Sequence, residues 1–342
     1  MRWLWALCAL VVVAACGSEK TLPAREIVVR GDASPAPDAS GLQSRGGLRL
    51  ASSRIVFVTH GQASDQFWTV VRKGLETAER QTGAAVSYRA PDSFSISRMR
   101  ALIDQAVADH PDGLVVSVPD PEALGPSIRR AVAEDIPVIT INSGADAFKD
   151  LGVLAHVGQP EYDAGVQAGR RLGAAGVRRA LCVNQESGNT GLDERCRGLA
   201  DGLKRTGGRI EPLAVPLQDP ATATRRLSEA INTQPVDGIV TLGPGGAKPA
   251  IDAVGASGQR GRITLATFDL SLEVLEAVRD GEILFAVDQQ PYLQGYLPVI
   301  LLAEQARHRV FPGKGALIPT GPQFVTEDNA AEVIELSAEG VR

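Results

Sequence analysis

Short runs of β-branched residues alternate with longer helical segments from Arg54 onward, and this alternation constrains the fold more than any other feature of the chain. Apolar residues recur every three or four positions in the longer segments, as in amphipathic helices, whereas the short runs are typical of buried strands. Strands that alternate with helices form a parallel sheet with helices on both faces. The predicted strands are Ile55–Val58, Leu114–Val116, Val138–Ile141, Val153–Val157, Ala180–Val183, Ile239–Thr241 and Ile263–Leu265, and the predicted helices include Thr69–Gln81, Ile96–Asp109, Ala164–Leu172 and Arg225–Ile231.

This pattern occurs twice, with a break at residues 152–159 where an extra strand precedes a new helix. We therefore predict an α/β fold with two doubly wound parallel-sheet lobes. Ligands of such sheets bind outside the carboxyl ends of the strands. The loops after the strands are accordingly where we look for function.

The N-terminus has the features of an export signal. Residues 4–15 are almost entirely apolar, a length too short to span a bilayer as a helix but suited to the core of a signal peptide. The run ends Val13-Ala14-Ala15-Cys16-Gly17, which resembles a bacterial lipobox, so Cys16 is predicted to be lipidated. A plain signal peptide with a chance cysteine is the alternative. Residues 17–53 are rich in Ser, Pro, Gly and Asp and predict a flexible tether.

Composition and cysteine usage narrow the class of protein. The chain is 44% hydrophobic and 22% charged, as in soluble globular proteins, and its formal charge of -5 with no basic block argues against a nucleic-acid partner. Cys8 leaves with the signal peptide. Cys182, in a predicted strand, and Cys196, in the following helix, would meet an oxidising compartment and form either a disulfide or two buried free thiols.

The loop after the first strand contains two aromatic residues beside a helix-capping residue. Ser64 or Asp65 would cap the helix, which places Phe67 and Trp68 on its first turn. Both rings are candidates for the core, but adjacent helical positions point in different directions, so at least one should project into the cleft or solvent. An aromatic ring at a cleft mouth is a stacking surface for the apolar face of a sugar.

Catalytic and phosphate-binding motifs are not evident. His60 and His156 lie at strand ends without a nucleophile motif, and we interpret both as structural or hydrogen-bonding residues. The stretch Gly243–Gly246 does not have the spacing of a P-loop and predicts a tight turn with close backbone approach.

Together, these loops resemble those of the periplasmic sugar-binding proteins of ABC transporters, in the ribose-binding and autoinducer-binding branch of the type I fold. The resemblance covers residues 54–325 and is carried by four segments: Asp65–Trp68, Pro111–Ser117, Ile136–Ile139 with Asn142, and Phe268–Asp269 with Gln289–Pro291. It implies two lobes that are joined by three crossovers and close on a ligand. Residues 54–157 with 290–319 would form the N-terminal lobe, and residues 158–289 with 320–342 the C-terminal lobe.

The resemblance also implies a ligand site between the lobes and no catalysis, cofactor or metal. Asn142 stands where ribose binders have an aspartate, and the start of the helix from Asn189 to Arg195 is placed at the cleft. The candidate ligand-binding residues are Asp65, Phe67, Trp68, Ser117, Asn142, Gln159, Glu186, Asn189, Arg195, Asp269 and Gln289.

Two departures from the family pattern leave the identity of the ligand undecided. Ribose binders have an Asn-Asp pair where this chain has Gly243-Pro244, and their second-lobe aromatic has no clear counterpart in Pro220–Ala223. The first-lobe aromatic pair remains, which favours a sugar or polyol-like small molecule. Pentoses, hexoses, inositols, other polyols, autoinducers and non-sugars all stay open.

The resulting hypothesis is a monomeric, lipid-anchored substrate-binding protein of an ABC importer, outside the cytoplasm, that delivers its ligand to the transmembrane permease subunits. A ligand-sensing accessory protein for a sensor kinase or chemoreceptor is the alternative, and an exported enzyme using His60 or His156 is the third reading. A repressor of similar architecture is not expected, because an export signal occupies the place of its DNA-binding helices.

Overall fold

The computed structural model describes residues 52–61, 65–217 and 219–342. These residues form two α/β lobes, each built on a six-stranded sheet, which confirms the predicted fold class. The predicted signal peptide, Cys16 and nearly all of the predicted tether lie outside the described residues. No described helix has the length and apolar character needed to cross a membrane.

The first sheet is parallel throughout and has the order β11-β5-β4-β3-β1-β2. Its strands are β1 Arg54–Val58, β2 Ala85–Arg89, β3 Gly113–Ser117, β4 Val138–Ile141, β5 Ala155–Gly158 and β11 Ala316–Pro319. Residues of β1 alternate between two apolar clusters, because Ile55 and Phe57 face one side of the sheet and Val56 and Val58 face the other. Helices therefore cover both faces, as the apolar runs predicted.

The second sheet has the order β12-β10-β9-β8-β6-β7, with only β12 antiparallel. Its strands are β6 Arg179–Asn184, β7 Arg209–Ala214, β8 Gly238–Thr241, β9 Thr264–Phe268, β10 Phe285–Asp288 and β12 Gln323–Val325. The chain passes between the sheets after β5, after β10 and after β11. The lobe boundaries at residues 157, 289 and 319 stay a prediction that this sheet membership supports.

Ten α-helices connect or flank these strands in the described part of the chain. They are α1 Gln66–Thr82, α2 Ile96–Ala108, α3 Pro121–Ala133, α4 Glu161–Ala174, α5 Thr190–Lys204, α6 Pro220–Thr233, α7 Ala247–Ala256, α8 Leu272–Arg279, α9 Pro291–His308 and α10 Glu327–Ala338. The stretch Gly243–Gly246, predicted to be a tight turn, contains a 3₁₀ turn at Pro244–Gly246.

Helices α4 and α5 pack with their backbones almost in contact. A Cβ atom at Gly165 would lie 2.4 Å from the carbonyl oxygen of Arg195, and one at Gly198 would lie 2.1 Å from that of Tyr162. Only glycine permits this approach. A disulfide between Cys182 on β6 and Cys196 on α5, with an S–S distance of 2.01 Å, also holds α5 against its sheet. These contacts fix the helix that carries Arg195.

Candidate functional site

The carboxyl ends of both sheets face a small space of about 40 Å³ that is lined mostly by buried residues, which we call the deep pocket. Both lobes contribute to its walls, as expected for open parallel sheets. Eight of the candidate ligand-binding residues line it: Asp65, Phe67, Trp68, Asn142, Glu186, Asn189, Arg195 and Asp269. The remaining lining residues are His60, Gln185, Leu192, Leu242, Gly243 and Pro244.

Arg195 is a buried cation in the wall of the deep pocket. Its Nε and Nη2 donate to the two carboxylate oxygens of Glu161, at 2.6 and 2.9 Å, and its Nη1 donates to the carbonyl oxygen of Leu242 at 2.9 Å. Burial is the largest single effect on the pKa of Arg195 and lowers it, but the carboxylates of Glu161, Asp269 and Glu186 together outweigh burial and raise the pKa above its ordinary value. The guanidinium therefore reaches the pocket charged and already oriented by a bidentate partner.

Asp269 follows β9 and adopts a left-handed backbone conformation, with a φ of 64°. Its Oδ1 accepts a 2.6 Å hydrogen bond from Nε2 of Gln289, and its Oδ2 lies 3.6 Å from Nη1 of Arg195. Burial is the main cause that raises the pKa of Asp269 to about 7, although Arg195 opposes the shift. Asp269 is thus a buried carboxyl group that changes charge near neutral pH.

Gln289 connects the two lobes behind the pocket. Its side-chain oxygen accepts hydrogen bonds from Nδ2 of Asn142 at 3.2 Å and from Nε2 of Gln294 at 2.9 Å. Gln289 does not line the pocket, but it bridges Asn142 of the first lobe and Asp269 of the second. Its amide therefore sets the orientation of one polar group from each lobe.

The first lobe supplies an aromatic wall at the start of α1. Asp65 caps this helix by accepting a 2.9 Å hydrogen bond from the backbone N–H of Phe67. Phe67 and Trp68 both line the pocket, their rings meet edge to face at 5.0 Å, and their exposures are only 6% and 3%. The sequence predicts at least one of these rings in the cleft or in solvent, and the structure places both against the cleft and neither in solvent. Burial raises the pKa of Asp65 to about 6.

His60 lies between the aromatic wall and the second lobe. Its Nδ1 is 2.8 Å from Oγ of Ser117, and its Nε2 is 3.4 Å from Nδ2 of Asn189 and 3.7 Å from Oε2 of Glu186. Burial, with the charge of Arg195 as a second cause, lowers the pKa of His60 to about 3, so the imidazole is neutral. Burial also raises the pKa of Glu186. The network agrees with the interpretation of His60 as a hydrogen-bonding residue.

The two lobes already touch where α5 begins. Asn189, the N-cap of α5, accepts a hydrogen bond from Oγ of Ser143 at 3.1 Å, and the N–H of Thr190 donates to the carbonyl oxygen of Pro119 at 2.8 Å. Ser143 and Pro119 follow strands of the first sheet, whereas α5 belongs to the second lobe. The structure therefore has the lobes in contact around the deep pocket.

Known proteins share this architecture. The sequence profile of the periplasmic binding protein domain matches residues 55–309, which is most of the chain. The chain belongs to the periplasmic binding protein family. A crystal structure of a carbohydrate transporter protein from Acidothermus cellulolyticus 11B, in complex with myo-inositol, is 34% identical to it, with a TM-score of 0.79 over 85% of this chain and 100% of that one.

Two proteins named for the sugars that they bind are more distant relatives in sequence. A xylose/arabinose-binding protein from Sulfolobus acidocaldarius is 24% identical over 81% of this chain and 71% of its own length. A D-ribose/D-allose-binding protein from Pseudomonas aeruginosa is 23% identical over 69% of this chain and 76% of its own length. Membership of the periplasmic binding protein family confirms the predicted resemblance. It also confirms that the chain is a binding protein and not an enzyme. The family is located outside the cytoplasm, as predicted for this chain.

Three candidate residues of this periplasmic binding protein lie behind the deep pocket and not in its wall. Ser117 accepts a hydrogen bond from the backbone N–H of His60 at 3.0 Å, and Gln159 donates through Nε2 to Oε2 of Glu161 at 2.8 Å. Gln289 is the third, as described above. Ser117 and Gln289 orient neighbours that line the pocket, whereas Gln159 bonds Glu161, the partner of the lining residue Arg195.

Sequence reasoning missed Glu161, which holds Arg195. An acidic residue in the first turn of a helix is ordinarily explained by the helix dipole. Its partner is 34 residues away on α5, so the sequence had no local signal for the pairing.

Proposed function

We propose that this chain is the substrate-binding lipoprotein of an ABC importer, which captures an uncharged sugar or polyol between its lobes and delivers it to the membrane permease. The observation that carries the proposal is the deep pocket itself, where Arg195 and Asp269 of the second lobe meet Asp65 and Trp68 of the first. Neither lobe alone presents this set of groups.

The chemistry of these groups suits a ring that carries several hydroxyl groups. Carboxylates accept hydrogen bonds from hydroxyl groups, and the guanidinium of Arg195 donates to hydroxyl oxygens. Aromatic side chains such as Trp68 cover the apolar C–H face of such a ring. The relatives fit this class, since one is crystallised with myo-inositol and the others are named for pentoses and for ribose or allose.

Ligand capture follows from the position of the pocket between the lobes. A ligand that contacts both lobes binds the closed arrangement more tightly than the open one, and this difference sets how far the population shifts toward closure. Contacts such as Thr190 to Pro119 form only when the lobes meet. The closed form then presents a surface, composed of both lobes, that a permease can recognise.

The proposal includes a lipid anchor at Cys16 and a monomeric protein, with the signal peptide at residues 1–16 and the tether at residues 17–53. Acyl chains on Cys16 would hold the protein at a membrane surface, since each buried methylene adds about 0.8 kcal/mol. Metabolic labelling with a fatty acid tests this point: label that is absent from a Cys16→Ser variant supports the anchor, and label that remains contradicts it.

Uptake of radiolabelled ligand by cells that lack this protein tests the importer role. A thermal-shift screen of the purified protein against pentoses, hexoses, inositols and other polyols first identifies the ligand, because a ligand that binds only the folded state raises the melting temperature. We expect uptake to fall on deletion and to return with the wild-type chain. Normal uptake without the protein, combined with intact binding, contradicts the importer role and favours the sensing accessory role.

A further inference from the structure

Gln185 lines the deep pocket, although the sequence did not mark it as a candidate for ligand binding. It follows directly after β6, and the backbone on both sides of it is held by hydrogen bonds. The N–H of Glu186 donates to Oδ1 of Asn184 at 2.9 Å. The carbonyl oxygen of Asn184 accepts a hydrogen bond from the N–H of Val215 at 3.0 Å. The side chain of Gln185 therefore projects from a fixed point of the second lobe.

The deep pocket adjoins a larger space of about 330 Å³. Small-molecule sites in proteins begin at about 300 Å³, so the larger space has room for a single hydroxylated ring. Five residues line both spaces, namely Asp65, Gln185, Glu186, Gly243 and Pro244. Gln185 therefore lies where a ring in the larger space faces the deep pocket.

Glycine at position 243 leaves room for the amide group of Gln185. The backbone of Gly243 is extended, with a φ of -168° and a ψ of 161°, so its conformation does not require glycine. A Cβ atom built there would lie 2.8 Å from Nε2 of Gln185 and 3.7 Å from its Cδ. Apart from the chain neighbours of Gly243, no other atom of the described residues is within 4 Å of that position. A side chain at position 243 would therefore displace the Gln185 amide.

The amide group of Gln185 is available to a ligand. Within the described part of the chain, no group forms a hydrogen bond with its side chain. The two carboxylates that line both spaces do have partners. Asp65 accepts a hydrogen bond from the N–H of Phe67, and Glu186 accepts one from Nδ2 of Asn189 at 2.7 Å.

An amide donates a hydrogen bond through its nitrogen and accepts one through its oxygen, and a hydroxyl group can do both as well. A ligand that displaces water from the Gln185 amide has to replace the hydrogen bonds that the water made, because an unsatisfied polar group weakens binding. A ring with a hydroxyl group at this position meets that requirement. The same ring with hydrogen in its place does not.

We propose that Gln185 determines specificity by binding one hydroxyl group of the ligand, and that Gly243 positions the Gln185 amide. This inference rests on the proposed function, since it assigns one contact of the same ligand site. The other charged groups of the wall are less versatile. Ionised carboxylates only accept hydrogen bonds, and Arg195 only donates them and is already paired with Glu161.

Isothermal titration calorimetry on the purified protein tests the contact of Gln185 with the ligand. The probes are myo-inositol, D-ribose, D-xylose and D-glucose, followed by the monodeoxy analogues of the probe that binds most tightly, which is the parent probe. We expect Gln185→Ala to weaken binding of the parent probe about 10-fold, which corresponds to about 1.4 kcal/mol. One monodeoxy analogue should bind the wild type about 10-fold more weakly than the parent probe does. Gln185→Ala should bind this analogue and the parent probe with equal affinity, and Gln167→Ala, at an exposed position of α4, should behave as the wild type.

A double-mutant cycle tests the role of Gly243. Gly243→Ala should weaken binding of the parent probe several-fold, because the added Cβ atom displaces the Gln185 amide. The same substitution in the Gln185→Ala protein should have no further effect, since the group that it displaces is then absent. Both single variants should keep the melting temperature of the wild type, because Gln185 is half-buried and the backbone of Gly243 accepts a side chain.

The outcomes separate the inference from the proposed function. Wild-type affinity in Gln185→Ala overturns the contact with the ligand. A variant that discriminates against every monodeoxy analogue as the wild type does overturns the assignment of a hydroxyl group. Equal losses on Gly243→Ala with and without Gln185 overturn the positioning role. Each of these results leaves sugar or polyol binding in place, whereas failure of all four parent probes to bind the wild type contradicts the proposed function and the inference with it.

Discussion

Glu161 and Arg195 form a bidentate ion pair that is buried almost completely, with Nε–Oε2 and Nη2–Oε1 distances of 2.6 and 2.9 Å. The carboxylate comes from the first turn of α4 and the guanidinium from α5, and glycines at the crossing of these helices keep them close. The cation of the deep pocket is therefore balanced within the protein. A ligand has no need to bring a negative charge.

Breaking this ion pair should lower the stability of the protein strongly and weaken ligand binding. Glu161→Gln leaves the buried Arg195 without its counter-charge, and breaking one side of a buried ion pair costs about 3–5 kcal/mol. Urea unfolding should show this loss, and calorimetry should show weaker ligand binding. Asp163→Asn, the same change at an exposed position of the same helical turn, should leave both unchanged. Equal stability of the two variants would contradict the role given to Glu161.

Stability should depend on pH through Asp269. Its pKa is raised to about 7 in the folded protein, from 3.8 for the model carboxyl group, chiefly by burial. Between about pH 4 and 7, Asp269 therefore keeps a proton in the folded state that it has lost in the unfolded state. Its contribution to the free energy of unfolding falls as pH rises through this range, by at most about 1.4 kcal/mol per pH unit. Above pH 7 the effect is constant.

Comparison with Asp269→Asn isolates this group from others that titrate in the same range, such as His60. Measured by urea unfolding from pH 4.5 to 8.5, the stability of the asparagine variant should increase relative to the wild type as pH rises toward 7. The difference should then level off. A difference that is the same at every pH would show that Asp269 ionises normally in the folded protein.

Anionic ligands should be rejected. The deep pocket adjoins a larger space of about 330 Å³, whose lining includes Gln66, Phe94 and Glu273. Among the described residues that line the two spaces, the only cation is Arg195, which is paired with Glu161, whereas carboxylates line both. For a bound sugar, the corresponding uronate or sugar phosphate should bind at least about 10-fold more weakly, equivalent to about 1.4 kcal/mol. Glu273→Gln in the wall of the larger space should reduce this discrimination, and Glu276→Gln at an exposed position of the same helix should not. Tighter binding of the anion would contradict this account.

Trp68 should be tested by a conservative change, since it is 3% exposed and belongs to the core as well as to the pocket. Truncation of a buried tryptophan to alanine costs about 3–5 kcal/mol of stability, so a loss of affinity in that variant could not be separated from a loss of folded protein. Trp68→Phe retains an aromatic ring, so we expect a small loss of melting temperature and a several-fold loss of affinity. An affinity equal to that of the wild type would show that the indole ring does not contact the ligand.

The sequence predicted the central strands and several residues of the site, because both depend on local pattern. The buried strands β3, β4, β5 and β8 are short apolar runs, and Asp269 directly follows such a run at the carboxyl end of β9. The four strands at sheet edges, β2, β7, β11 and β12, were missed, as was the four-residue strand β10. Pro212 is tolerated in β7 because an edge strand can leave one side of its backbone unpaired, and neither β2 nor β7 has a continuous apolar run.

The remaining features depend on contacts between distant parts of the chain. The partner of Arg195 is set by the packing of α4 on α5, and the burial of both Phe67 and Trp68 is set by neighbours on other elements of the lobe. Ser117, Gln159 and Gln289 have the polar character that the site requires, yet they lie behind the pocket, where Ser117 and Gln289 bond lining residues and Gln159 bonds Glu161, the partner of Arg195. Residue type and position after a strand do not distinguish a side chain in the wall from one that supports it.

The most direct test of the account is calorimetric titration of an uncharged sugar or polyol into the wild type and two isosteric variants, one from each lobe. We predict 1:1 binding with a Kd on the order of 1 µM or lower, equivalent to about -8 kcal/mol. Asp65→Asn and Asp269→Asn should each weaken it at least several-fold, and Asp219→Asn, at the exposed N-cap of α6, should not. Absence of binding to any uncharged sugar or polyol, or binding that depends on only one lobe, would contradict capture between the lobes.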